Sequence, residues 1–131
     1  MIVADSDVLI DFLAGRDPAA ARVEIELGTD SFGTTVVSRF ELLAGARDRT
    51  AEGIVRRLLD TIPTLTLERQ SADRAAAVRR TLEARGAAIG MADSLIAGIV
   101  LTHDAILLTR NRKHFERVEG LKLASLPSQS D

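Results

Sequence analysis

The sequence predicts an α/β domain of three layers, in which a mainly parallel central sheet is covered by helices on both faces. Three observations predict it. Short apolar runs alternate along the chain with longer segments whose apolar residues recur at helical spacing. The runs lack polar alternation, as strands buried between two helical layers must. No internal repeat, low-complexity block or linker interrupts the 131 residues, a length suited to one core that buries roughly two thirds of the unfolded surface.

Each element follows in turn. Ile2, Val3 and Ala4 lead into Asp5-Ser6-Asp7, after which Val8, Leu9, Phe12 and Leu13 take helical spacing, so a buried strand feeds a helix. In the next turn Asp17 can cap and Pro18 can open a helix carrying Ala21, Val23, Ile25 and Leu27, which stops near Gly28. The β-branched run over 34–37 predicts a strand, and Ser38 opens a helix through Phe40, Leu42 and Leu43. Ile54, Val55, Leu58 and Leu59 predict another helix, and residues 62–66 a short strand that Pro63 confines to an edge or a strand start. A long alanine-rich helix through Ala72, Ala75, Val78 and Leu82 is ended or bent by Gly86 or Gly90 before a helix over 91–101. Residues 105–109 read as a strand, 111–115 as a turn or brief helix, 122–126 as a last strand and 127–131 as a frayed tail.

Composition narrows the chemistry. With 17 basic and 19 acidic residues the formal charge is −2, without the bias that marks a strong nucleic-acid binder. The basic side chains are nearly all arginine, which pairs with phosphate and carboxylate alike. The absence of cysteine excludes disulfides, thiolate zinc sites and cysteine nucleophiles. No basic leader precedes an apolar stretch, and no apolar run reaches the ~18 residues of a membrane span. The expectation is a soluble, cytoplasmic protein with no membrane partner.

Three acids attract attention. Asp5 follows an apolar strand directly, where open α/β sheets present their ligand face. Each acid has a purely structural explanation: Asp5 or Asp7 as a cap, Glu41 as the end of a Ser38-Arg39-Phe40-Glu41 capping box, and Asp93 as a first-turn acid after Gly90. Their common place at strand-to-helix transitions puts them at one end of the sheet. Gathered there, like charges cost stability unless protons or a hard cation neutralise them. Mg²⁺ or Mn²⁺ suits such oxygen donors and assists phosphoryl chemistry. Asp5, Glu41 and Asp93 are therefore the candidate metal-holding and catalytic residues. Asp7 is a candidate further ligand, Ser6 can orient Asp5 from behind, and Thr109 at a strand end can bind a phosphate or one of the acids. Arg110, Arg112 and Lys113 form the best cationic patch for a phosphate backbone, and His114 is a candidate substrate contact. Phe12, Phe32, Phe40 and Phe115 are assigned to the core.

The segments MIVADSDVLID (1–11), SRFELLAGA (38–46), IGMADSLIA (89–97) and LTRNRKHF (108–115) resemble, in order, those of PIN-domain ribonucleases, in particular the VapC toxins of toxin-antitoxin pairs. The resemblance implies a PIN-like catalytic domain over 1–126 with a flexible tail over 127–131. It places the family's catalytic acids on Asp5, Glu41 and Asp93 and implies Mg²⁺ or Mn²⁺, an RNA substrate, a VapB-like antitoxin and a homodimer. Where many relatives offer a further acid, this chain has Asn111 and His114; Asn111 can coordinate or position a water without adding charge, so one metal is the preferred picture. Leu9, Phe12, Leu42 and Leu43 are the expected docking residues for an antitoxin segment, whose arginine would enter the acidic mouth.

Two other readings stand beside this one. The D-x-D of Asp5 and Asp7, with LLT at 107–109, resembles haloacid-dehalogenase-type phosphatases, with Asp5 as nucleophile. Downstream, however, only Lys113 or Lys122, Glu116, Glu119 and Asp131 remain for that family's lysine and paired acids. In the other, the chain is a non-catalytic protein-interaction domain whose acids are caps.

Overall fold

A computed structural model describes residues 1–126, so the tail expected over 127–131 lies outside the described residues. The chain runs β1 (Ile2–Ala4), α1 (Ser6–Leu13), α2 (Ala19–Leu27), β2 (Phe32–Thr35), α3 (Val36–Ala44), α4 (Arg49–Leu59), β3 (Thr64–Leu65), α5 (Arg69–Ala84), α6 (Met91–Thr102), β4 (Ile106–Leu108), α7 (Arg112–Phe115) and β5 (Lys122–Leu123). The strands lie in the order β3-β2-β1-β4-β5 and every pair is parallel. β1 is central, with Val3 in register with Gly33 on one side and Leu107 on the other.

Successive strand residues point to opposite faces, and two cores result. Ala4 and Leu108 join Val8, Leu9, Val23, Leu42, Val55 and Leu59 from α1 to α4. Val3 and Leu107 join Leu82, Ile96, Val100 and Phe115 from α5 to α7. Three layers follow. From β1 the chain builds outward through β2 to β3, then crosses back to lay β4 and β5 on the other side. The order therefore reverses between β1 and β4, and the crevice at their carboxyl ends is where ligands of such sheets collect.

Several local expectations need correction. β2 begins at Phe32 and α3 at Val36, so the helix cap is Thr35, whose Oγ1 accepts the Ser38 amide at 3.1 Å. The Ser38–Glu41 capping box does not form, and Glu41 lies in the second turn of α3. A β-branched run ends the strand and starts the helix without a break, so the sequence hides the boundary. Phe40 is 69% exposed rather than part of the core, whereas Phe32 and Phe115 are buried. The last strand spans two residues, not five. Gly86, at φ +69, ends α5, and Gly90 caps α6. Among the described residues no helix is long and apolar enough to cross a membrane.

Candidate active site

Asp5 stands at the carboxyl end of β1 and caps α1, so the strand delivers its carboxylate into the crevice while burying it to 4% exposure. Its Oδ1 accepts the Ser6 amide at 2.8 Å and the Ser38 hydroxyl at 3.4 Å. Its Oδ2 accepts the Thr109 hydroxyl at 2.9 Å, from the end of β4. Burial, followed by the charge of Asp7, pushes Asp5 up to about 7 against the pull of the Thr109 and Ser6 hydrogen bonds, and Asp93 adds to the rise. Asp7, on the first turn of α1, is also raised, chiefly by burial. Its Oδ2 accepts the Arg110 amide at 3.1 Å, while its Oδ1 is buried with no hydrogen-bond partner.

Glu41 joins Asp5 through a short bridge, while Asp93 lies near enough to raise it. Ser6 donates its hydroxyl to Glu41 Oε1 at 3.0 Å, so one residue ties Glu41 of α3 to Asp5 through its side chain and its amide. Asp93, in the first turn of α6, lies 2.7 Å from Nδ1 of His114. The Asn111 amide donates to Thr109 Oγ1 at 3.0 Å. Topology thus brings together all three expected acids, with Ser6, Asp7, Thr109 and His114 around them. Among the described residues, however, no three carboxylate or imidazole side chains converge as a ready-made metal cage. The donor chemistry still fits a hard divalent cation: the groups are carboxylate oxygens, one is an orphaned buried oxygen, and burial and the charge of Asp7 drive the central acid toward holding a proton.

The basic patch divides. Arg110 turns its guanidinium to Asp11, at 3.0 Å, and Arg112 donates to the Ala124 carbonyl at 2.9 Å. Both arginines are nonetheless exposed, as are Lys113 and His114. Two contributors go beyond the sequence expectations. Ser38, which the sequence presents as a cap, donates to Asp5. Asp11 stands at i,i+4 from Asp7 on an otherwise apolar helix, a spacing that marks a second acid on the same side.

Comparisons with known proteins give the family and the fold. The PIN domain family model matches residues 2–121. The chain is 32% identical over 124 residues to ribonuclease VapC19 of Mycobacterium tuberculosis, covering 93% of this chain and 98% of that protein. It superposes with a TM-score of 0.85 on VapBC2 from Rickettsia felis bound to a promoter DNA fragment, at 20% identity over 97% of this chain and 100% of that one. It matches a toxin-antitoxin complex from Klebsiella pneumoniae with a TM-score of 0.79, at 23% identity over 95% and 97% of the two chains. At those identities the structural likeness speaks for the fold.

Proposed function

The chain belongs to the PIN-domain family, among its VapC ribonucleases, and from that premise we propose that it is a toxin that hydrolyses RNA phosphodiester bonds at the Asp5 site with the aid of Mg²⁺ or Mn²⁺. The observation that carries the reading is the buried Asp5 at the sheet's switch point, surrounded by the charges of Asp7 and Asp93 and tied through Ser6 to Glu41. Asp5, Glu41 and Asp93 would hold the ion, with the spare Oδ1 of Asp7 as a further donor. When bound, the ion supplies Lewis-acid stabilisation of the charge developing on a phosphate and activates water for attack. The chain's own part is orientation. Thr109 and Ser38 fix Asp5, Ser6 fixes Glu41, and His114 fixes Asp93. Because Arg110, Arg112 and His114 each hold a partner within the chain, Lys113 is the cation of this patch best placed to contact the RNA backbone. A carboxylate bonded on both oxygens and almost wholly buried suits ion holding rather than covalent attack, which sets the phosphatase reading aside.

The test is cleavage of mixed structured and single-stranded RNAs by the purified chain and by Asp5→Asn, with EDTA and with Mg²⁺ or Mn²⁺ restored. Cleavage should vanish with EDTA, return with either ion and be lost in the variant. Undiminished cleavage by contaminant-free protein without metal would overturn the mechanism.

The proposed partner is a VapB-like antitoxin. A groove of about 400 Å³ runs between α1, α3 and α4, lined by Ile10, Leu13, Leu42, Ala46 and Ile54, with Glu41 at its rim. It suits the apolar face of an amphipathic segment. Of the four expected docking residues only Leu42 lines the groove; Leu9 is core, and Phe12 and Leu43 pack against that core. Ile10 and Ile54 take their place, being exposed. An arginine on the same segment would reach the carboxylates beside Glu41 and compete with the metal.

A further inference from the structure

Asp11 lies one turn beyond Asp7 on α1, is 2% exposed, and is held by two arginines. A carboxylate buried this deeply depends on its cation. Arg16, in the turn after α1, approaches at 3.4 Å and is 63% exposed. Arg110 is closer, with Nη1 at 3.0 Å from Oδ2 and 3.2 Å from Oδ1. The same residue gives its backbone amide to Asp7 Oδ2 at 3.1 Å. One residue of the turn after β4 is therefore gripped twice by α1, by acids four positions apart. Its immediate neighbour is Thr109, whose hydroxyl reaches Asp5.

We infer that Asp11 and Arg110 form an internal anchor that positions the carboxylate site, holding the turn after β4 against α1 so that Thr109 meets Asp5 and the Arg110 amide meets Asp7. The inference rests on the reading of Asp5, Glu41 and Asp93 as a metal site, and it removes Arg110 from the RNA-contacting surface. Asp11 and Arg110 are positioning residues, acting on the site through Thr109 and Asp7. Loosening them leaves every proposed ligand in place while freeing the groups that aim two of the acids, a change that in metal sites weakens affinity about 10-fold or more.

The experiment uses the full chain and a double-mutant cycle. Mn²⁺ affinity is measured by calorimetry, together with metal-free thermal unfolding and Mn²⁺-dependent RNA cleavage, for wild type, Asp11→Asn, Arg110→Met, the double variant, Arg110→Lys and Arg16→Met. Each of Asp11→Asn and Arg110→Met should weaken Mn²⁺ binding about 10-fold. The double variant should be no weaker than the worse single one, since both remove the same contact. Arg110→Lys should recover part of the loss, and Arg16→Met should bind as wild type does. If Asp11→Asn does not fold, the Arg110→Met and Arg110→Lys pair decides the matter. Folded single variants with wild-type Mn²⁺ affinity would overturn the anchor, as would multiplicative losses or an equal loss in Arg16→Met. A higher KM and a shallower salt dependence in Arg110→Met, with unchanged Mn²⁺ affinity, would return Arg110 to the RNA surface. A wild type that neither binds Mn²⁺ nor cleaves RNA would instead bring down the metal-site reading, and the anchor's purpose with it.

Discussion

Asp5 gains affinity for a proton when the chain folds, because burial and the nearby charge of Asp7 penalise its ionised form. Between its ordinary value of 3.8 and about 7, the folded state keeps a proton that the unfolded state has released. Metal-free stability contributed by this group should therefore fall as pH rises through that window and level off above it. The raised Asp7 acts in the same direction. Asp5→Asn removes the titration while keeping the shape, and the Thr109 hydroxyl can reverse its role to accept. At pH 8 the metal-free variant should melt several degrees above wild type, on the order of a few kcal/mol. At pH 4 the two should coincide, and the variant should be inactive throughout. Melting curves at both pH values check this, and a variant no more stable than wild type at pH 8 would contradict it. Asp5 was legible in the sequence because an acid directly after an apolar strand is out of place. Asp11 is only partly legible: its spacing from Asp7 is in the sequence, but its meaning depends on Arg110, which is 99 positions away.

The helices carry the acids, so their packing sets the site. Gly98 of α6 sits where an added Cβ would run into the Ser71 carbonyl oxygen and come within 2.8 Å of Ala75 on α5. Those neighbours are backbone and a short side chain with no room to yield. Gly98→Ala should destabilise the fold by about 1–3 kcal/mol in urea unfolding. It should also slow cleavage, since Asp93 rides on the same helix; unchanged stability would mean that α5 and α6 can separate at little cost. Elements of this kind were legible wherever one period persists, as in α4 and α5. The start of α3 was not, because Thr34 to Val37 look alike as residues but divide between a strand and a helix, while Ser38 and Glu41 imitate a cap. Phe40 shared the apolar spacing of its neighbours, and spacing alone does not say which side of a helix remains open.

At the scale of the molecule, the site draws on four stretches of chain that only the sheet order brings together: β1 with α1, α3, the start of α6, and the turn after β4. The groove for the proposed antitoxin opens beside it, so occupation of the groove and access to the acids are linked. Co-expression with a cognate VapB-like antitoxin should give a stable complex without ribonuclease activity, and proteolysis of the partner should restore it. Ile54→Glu should weaken that complex at least tenfold in a pull-down titration while leaving free-chain cleavage intact. A cognate partner that neither binds nor inhibits would end the pairing. The sheet order also bears on the making of the protein. β1 is made well before β4, one of its two neighbours in the sheet, and Thr109 comes with the later strand. A nascent or prematurely terminated chain that stops short of residue 105 has a half-open sheet and an Asp5 without its Thr109 partner. In the proposed toxin, the acid site is therefore complete only once β4 and the turn after it are in place.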